Sequence, residues 1–599
     1  VLTGAWGARA GELLARAGEH RGAQVHQVGE LAMLSPPHAV EGSWCCWLFG
    51  EPEDRGTLAA RFGRGHRGDL PAAFGRALTE LGDATCELLC GRFVVVALDR
   101  DRGRCLLTRD QLGAQPLVHA RVADGVLFAE HECDLLDLLP RTPGPDRLAL
   151  VQWIENGLTL PGRTLYEGLQ RLPSGHRLIL GGPHVSVERW WNARYEGFEE
   201  GSTATVAEHL REAAFAAIGR AAAGARRPAV KLSGGLDSAC VAAGLATDGF
   251  ADDGALALGG SFAAHPVADE SELIEETARH THLPLELVAF DPAGSMLAPA
   301  LAHIARWRLP PATPNLFLWQ PVTARARELG VDRMLDGEGG DELFGLAAYL
   351  IADMLRAGRL PTAWSLTGRI PGMGLHPSRR ARLRVLRHYG LSPLLPISVR
   401  RRREARAKRT ASSGTIVPRA AVQALAELQT ASEGDRRDGP LWWRFQAKSM
   451  IDTHDLLDMG SHFRREAADG NIDVRHPFLY DLRLIETALR LPPRAQFDPV
   501  RDRPLLRDAL TGLIPEAVRT RHAKSHFTPL VLAGLRTAES LLIEPLRQSG
   551  APVRAYVAPE ALDRKIEGSR DDRPMLSAGP LWRVAIANRW LASQPGESS

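Results

Sequence analysis

Pro228-Ala229-Val230-Lys231-Leu232-Ser233-Gly234-Gly235-Leu236-Asp237-Ser238 is a short apolar run that breaks at two glycines and then enters the alanine-rich segment 239–246. The run has the length and composition of a buried strand, and the segment after it those of a helix. Glycines let a backbone turn tightly and bring N–H groups close to an anion. The helix points its unpaired N–H groups and positive dipole end at the same spot, and Ser233 and Ser238 add hydroxyl donors. Residues Ser233, Gly234, Gly235, Leu236, Asp237 and Ser238 are therefore expected to cradle phosphate. No Lys follows the glycines, so this is not the G-x-x-x-x-G-K-[ST] loop. An aspartate beside a polyphosphate calls for a cation between them, and Mg2+ takes one or two carboxylates plus phosphate oxygens.

Outward from this loop, helix and strand alternate. Segments 206–222, 239–246 and 271–280 have helical patterning, and 228–232, 255–262 and 285–290 read as strands. That alternation predicts a parallel, doubly wound α/β sheet. Further on, Met334-Leu335 closes a strand and Asp336-Gly337-Glu338-Gly339-Gly340-Asp341-Glu342-Leu343-Phe344-Gly345 follows. Four carboxylates among glycines repel one another without a cation, and the end of a strand at a crevice is where such a sheet binds ligands. Asp341 is the expected second Mg2+ ligand, opposite Asp237.

The stretch 90–190 has a different texture. Strand candidates at 91–98 and 105–108 form a hairpin, as do 118–121 and 126–129 around Asp124-Gly125. Pro173 to His176 supplies a turn before a strand at 177–180. This half is expected to be mostly antiparallel β, and the Gly-, Ser-, Thr- and Glu-rich residues 195–205 to be a linker. At 599 residues the chain exceeds a single core. A net charge of +2 gives no global attraction to nucleic acid or membrane. No apolar run reaches the ~18–20 residues of a membrane span, and the first twenty residues, with Arg9, Glu12 and Arg16, do not read as a signal peptide. The seven cysteines form no disulfide framework and read as reduced, mostly buried thiols of a cytoplasmic protein.

Taken together these motifs resemble a known family. The 233–238 loop looks like the pyrophosphate loop of the AMP-forming ATP pyrophosphatases, and 337–345 like the partner motif of asparagine synthetases. Ile472-Asp473-Val474-Arg475-His476-Pro477-Phe478-Leu479 is similar to that family's E-x-R-x-P-F-L-D segment, with Asp473 for Glu and Tyr480 for Asp. Arg109-Asp110-Gln111-Leu112-Gly113-Ala114-Gln115-Pro116-Leu117 is close to the R-D-x-x-G-x-x-P-L turn of its N-terminal glutaminase domain. The resemblance covers nearly the whole chain. It implies an Ntn-type α+β glutaminase-like domain over 1–195 and an ATP-pyrophosphatase synthetase domain over 196–599, with a variable arginine-rich insertion at 346–440. The glutaminase of the family uses an N-terminal cysteine; here the first cysteine is Cys45, and the Asn-Gly glutamine-binding motif is absent from 40–90, so this half is expected to be inactive.

The resemblance further implies ATP and Mg2+ as cofactors, adenylation of a carboxylate, and attack by an amine. Glu338 stands where asparagine synthetases have Glu and β-lactam synthetases have Tyr, which makes it the candidate base, with Asp473 as its partner. Lys524 resembles the family's late catalytic lysine. Gly337 and Gly339 belong with the nucleotide site, and Arg464 and Arg465 are candidates to neutralise pyrophosphate. Without glutamine-derived ammonia the amine comes from the substrate, as in β-lactam synthetases and lasso-peptide cyclases. Glu338 and the 131 residues between Asp341 and Asp473 favour the second. A lid containing Arg379, Arg380, Arg382, Arg384, Arg387, Arg400 to Arg403, Arg406, Lys408 and Arg409 would hold a peptide whose ordering costs ~1–2 kcal/mol per residue. A solvated basic surface accounts for that segment equally well. The expected substrate is a leaderless precursor peptide, with a leader peptidase and a precursor-recognition protein as partners, and no nucleic acid or membrane. The alternatives that stay open are a small-molecule amide or β-lactam synthetase, an ammonia-dependent asparagine synthetase, and a catalytically dead nucleotide-sensing scaffold.

Overall fold

The computed structural model describes residues 2–63, 70–182, 184–247, 249–250, 254–291, 296–311, 313–314, 319–396, 399–400, 416–418, 420–421, 424–425, 438–452, 465, 472–522, 527–568 and 578–594. Among them no helix is long and apolar enough to cross a membrane.

The first half contains strands β1 (Thr3–Trp6), β2 (His26–Val28), β3 (Leu31–Met33), β4 (Ala39–Glu41), β5 (Trp44–Asp54), β6 (Leu89–Asp99), β7 (Arg104–Arg109), β8 (Val118–Val122), β9 (Gly125–Ala129), β10 (Leu169–Arg171), β11 (His176–Gly181) and β12 (His184–Arg189). They form two antiparallel sheets, ordered β10-β8-β9-β1-β3-β2 and β12-β11-β7-β6-β5-β4. Both hairpins expected from the sequence are present, β6 with β7 and β8 with β9. Alternation along β5 shows how the layers stack. Cys45 and Trp47 point into a core shared with Trp6, Leu31 and Phe128 of the other sheet. Trp44, Cys46 and Leu48 point to the opposite side, against Phe74, Ala77 and Leu78 of helix Leu70–Leu81. Because both faces are covered, Trp44-Cys45-Cys46-Trp47-Leu48-Phe49 reads as a continuous apolar run. On the outer face of the first sheet lie helices Ala10–Arg21 and Arg147–Asn156, the latter capped by Asp146. The Arg109-Asp110 turn is a structural device: Arg109 donates to the carbonyls of Gln115, Leu172 and Gly113, and Asp110 accepts from the N–H groups of Leu112, Ala114 and Gln115.

The second half is built on β13 (Pro228–Leu232), β14 (Leu256–Ser261), β15 (Leu285–Ala289), β16 (Arg333–Leu335) and β17 (Asp473–Arg475), all parallel, in the order β15-β14-β13-β16-β17. The chain winds outward in one direction from β13 and then returns to add β16 on the other side. The switch point therefore lies between β13 and β16, and the loops leaving those two strands open a crevice there. Helices Thr203–Ala222 and Leu236–Thr247 pack through Phe215, Ile218, Cys240 and Val241 into the core under the sheet.

Residues 190–202 carry no regular structure, but they are not a loose tether as their composition suggests. Tyr195 packs edge-on against Trp442 and Trp443, and Glu199 N donates to Arg490 O. Tyr195 thus anchors the stretch. The halves also meet across a charged seam. Arg475 pairs with Glu51, and Asp473 lies 3.3 Å from Arg92 and 3.3 Å from Arg333. Beside this seam a cavity is lined by Glu51, Arg92, Arg220, Arg475, His476 and Asp481.

Candidate active site at the switch point of the parallel sheet

The glycine loop leaves β13 and enters the helix at Leu236, three residues earlier than the sequence suggests, so Leu236, Asp237 and Ser238 form its first turn. Leu236 is buried and pins the turn. Ser233 N donates to Ser238 Oγ (3.2 Å), the two hydroxyls lie 3.1 Å apart, and Ser238 Oγ donates to Gly235 O (3.2 Å). All three contacts converge on Ser238 Oγ, which ties the two ends of the loop together. Arg521 braces it from outside, donating to Gly234 O and pairing with Glu270.

The acidic motif leaves the neighbouring strand and presses directly on this loop. A Cβ at Gly340 would lie 2.4 Å from Asp237 Cγ, and one at Gly337 2.6 Å from Ser238 N. Only glycine permits that approach. Gly339, with φ 91°, turns the chain into the short helix Gly340–Leu343 that carries Asp341.

Below the crevice sits a buried charge cluster. Asp336 Oδ2 is 3.2 Å from Lys231 Nζ, and its Oδ1 accepts from His476 Nδ1 (2.7 Å) and Glu338 N (3.1 Å). Burial alone would raise the Asp336 carboxyl; His476 and Lys231 outweigh it and hold the group well below the usual carboxylate range. The neighbouring Glu338 is reachable by solvent on its outer side but crowded by protein on the other. That crowding, and behind it the negative charge of Asp336, pushes the Glu338 carboxyl up. A carboxylate raised in this way is a stronger base.

The two expected metal ligands converge. Arg503 Nη1 lies 2.5 Å from Asp237 Oδ2 and 2.9 Å from Asp341 Oδ1. One cationic atom touching both carboxylates shows that they lie close enough to share a cation. Two carboxylates with phosphate oxygens completing the shell is a donor set suited to Mg2+.

Residues 209–592 match the asparagine synthase family, and residues 74–191 match the glutamine amidotransferase domain. The chain belongs to the asparagine synthase family. Members of that family are ATP-dependent ligases that form amide bonds and release AMP. Similar solved structures include glutamine phosphoribosylpyrophosphate amidotransferase from B. subtilis complexed with ADP and GMP, at 12% identity over 48% of this chain and 65% of that one, TM-score 0.22. Another is the allosteric regulatory enzyme of purine biosynthesis, at 10% identity over 48% of this chain and 79% of that one, TM-score 0.23. No curated protein matches the sequence.

Within this synthase-family site, the remaining sequence candidates fall in different places. Asp473 is not beside Glu338. It faces the seam, where Arg475, Arg92 and Arg333 overcome the effect of burial and hold its carboxyl below the usual range, which unfits it as a base. Asp336 occupies the place expected of that partner. Arg465 is likewise committed elsewhere: buried, it pairs with Glu132 (2.7 Å), which also binds Arg171, and it lies over the Trp307 ring. Arg464 and Lys524 lie outside the described residues, although Arg521, three positions before Lys524, touches the glycine loop. No local pattern marks Arg503, or the buried pairing of Lys231 and His476 with Asp336. Lys231 by itself carries a signal, since a lysine in a buried strand is almost never left unpaired.

Proposed function

We propose that this ligase is a lasso-peptide cyclase. A side-chain Asp or Glu carboxylate of a leaderless precursor peptide attacks the α-phosphorus of ATP, forming an acyl-adenylate and releasing pyrophosphate. The peptide's N-terminal amine then attacks the acyl carbon and expels AMP, closing an isopeptide ring. The observation that carries the reading is the convergence of the 233–238 loop, Asp237 and Asp341 at the switch point, with Glu338 beside them.

Each group has a task in this scheme. Loop N–H groups and the helix end receive the polyphosphate, preorganised so that nothing has to reorient as charge develops. Mg2+ bound between Asp237 and Asp341 would neutralise phosphate oxygens. Glu338 takes the proton the amine loses on attack. Lys524 stabilises the α-phosphate and the tetrahedral oxyanion. Changing Glu338 to Gln should lower turnover about a hundredfold. The acid limb of the wild-type pH profile should lie above the value of an ordinary glutamate, because the base must be ionised and its carboxyl is raised; the variant should lose that limb. An unaltered limb in the variant would assign the proton to another group.

The first half fits a scaffold rather than an ammonia source. Cys45 and Cys46 sit inside β5, and burial pushes both thiols up, Cys46 to about 12. Such thiols are poor nucleophiles at neutral pH. The peptide reading is supported by the surface of the variable region. Of the thirteen exposed large apolar side chains among the described residues, six fall there: Leu360, Leu375, Leu383, Leu391, Leu394 and Val399. Exposed Arg379, Arg380, Arg384 and Arg387 lie among them. A basic, apolar surface suits an acidic peptide better than a small amino acid. Arg382 differs from the rest, stacking on Trp364 at 4.2 Å and bonding Thr367, and so holds the region together. A leader peptidase and a precursor-recognition protein would supply the substrate in the cytoplasm.

Incubation with Mg·ATP and a leaderless peptide carrying an Asp or Glu several residues from its N-terminus should give a product lighter by one water and resistant to aminopeptidase. Linear peptide throughout, with pyrophosphate released when aspartate or another small amino acid is added, would replace the peptide reading by that of a small-molecule amide synthetase.

A further inference from the structure

Arg503 is the least expected residue at the site. It lies immediately before helix Pro504–Ala509 with φ 50° and ψ 50°, a backbone conformation that side chains other than glycine seldom adopt. Its side chain is only 7% exposed. The guanidinium fork is divided: Nη1 faces Asp237 and Asp341, while Nε and Nη2 lie 2.9 Å and 2.7 Å from Asp502. Asp502 is held in turn by Arg507. Burial acts to lower the Arg503 pKa, but the three carboxylates prevail and raise it. The charge is therefore permanent, and pH cannot withdraw it.

We propose that Arg503 is a resident counter-cation that closes the Asp237–Asp341 pair to free divalent ions, so that metal enters only together with a polyphosphate. This rests on the reading of the site as a nucleotide site. A tethered guanidinium competes for the two carboxylates at high effective concentration, and a free hydrated Mg2+, which dehydrates reluctantly, must displace it with no compensating partner. A polyphosphate changes the balance. Its oxygens offer the guanidinium a bidentate acceptor of the kind arginine favours, and they complete the metal's shell. Arg503 then turns from carboxylate to phosphate as the metal takes its place. Departure of pyrophosphate reverses the exchange, and Arg503 helps to expel the metal with it.

The test is manganese retained by the full-length protein in equilibrium dialysis, with and without pyrophosphate. Wild type should bind Mn2+ at least about tenfold more tightly when pyrophosphate is present, a coupling of ordinary size. Arg503→Gln should bind Mn2+ without pyrophosphate about tenfold more tightly than wild type, and Arg503→Lys should stay close to wild type. Equal wild-type affinity with and without pyrophosphate would overturn the gate, and this measurement stands even if the glutamine variant does not fold. If wild type retained no Mn2+ under either condition, or if Asp237→Asn retained as much as wild type, the nucleotide-site reading itself would fall.

Discussion

Replacing Asp237 by alanine should reduce ATP-dependent pyrophosphate release by at least about a thousandfold. The carboxylate lies in the first turn of the helix proposed to receive the phosphates, and it shares one cationic atom with Asp341. Without it the phosphate charge must be met by the loop N–H groups and Asp341 alone. The change should fall on kcat, because neutralisation matters most as charge builds on the departing pyrophosphate. Asp341→Ala should behave alike, and the double variant should be little worse than either single one, since residues that act as a unit are not additive. Pyrophosphate released at wild-type rate by Asp237→Ala would disprove the shared-cation site.

The second large effect is on stability. Asp336→Ala removes the carboxylate between Lys231 and His476, both nearly enclosed. Breaking a buried ion pair by deleting one partner costs about 3–5 kcal/mol. The midpoint of thermal unfolding should fall by roughly 2–6 °C, as the unfolding entropy of so long a chain dictates, and the Glu338 loop should loosen, because Asp336 accepts from Glu338 N. The pH dependence has a definite sign. A carboxyl held below its usual value when folded contributes stability that is fully present above its unfolded value of about 3.9 and is lost as pH falls through the folded one. The gap between wild type and variant should therefore be full at neutral pH and close only in strong acid. A variant as heat-stable as wild type at neutral pH would show that the Lys231–Asp336–His476 cluster does not hold the crevice floor.

Much of this architecture is visible in local pattern. Pro228–Leu232 and Ser271–His280 begin and end where their composition says, because apolar runs and flanking turn formers act over a few residues. The helix at Leu236 starts early because Asp237 and Ser238, which look like loop residues, sit in its first turn, where the Ser238 hydroxyl donates to Gly235 O. What local pattern does not carry is direction. In β17, Asp473 and Arg475 alternate to the same face, toward the seam, and His476 just beyond the strand reaches Asp336. A one-residue difference in facing decides which of them serves the site. Arg465 and Arg503 look alike in sequence, yet one binds Glu132 of the first half and the other Asp237 and Asp341. Those contacts join residues hundreds of positions apart, and nothing near either arginine announces them.

The charged seam bears on how the chain can be divided. Glu51, Arg92 and Glu132 belong to one half; Arg333, Arg465, Asp473 and Arg475 belong to the other. A cut near residue 195 would leave each fragment with ionised side chains shaped for a partner that is gone, beside apolar surface that Trp582 and Trp590 of the last helix now cover against helix Arg147–Asn156. The amidotransferase-like portion is thus bound, through buried charges and apolar side chains, to the synthase portion. That bond gives a structural reason for such a portion to persist in a chain whether or not it still hydrolyses glutamine.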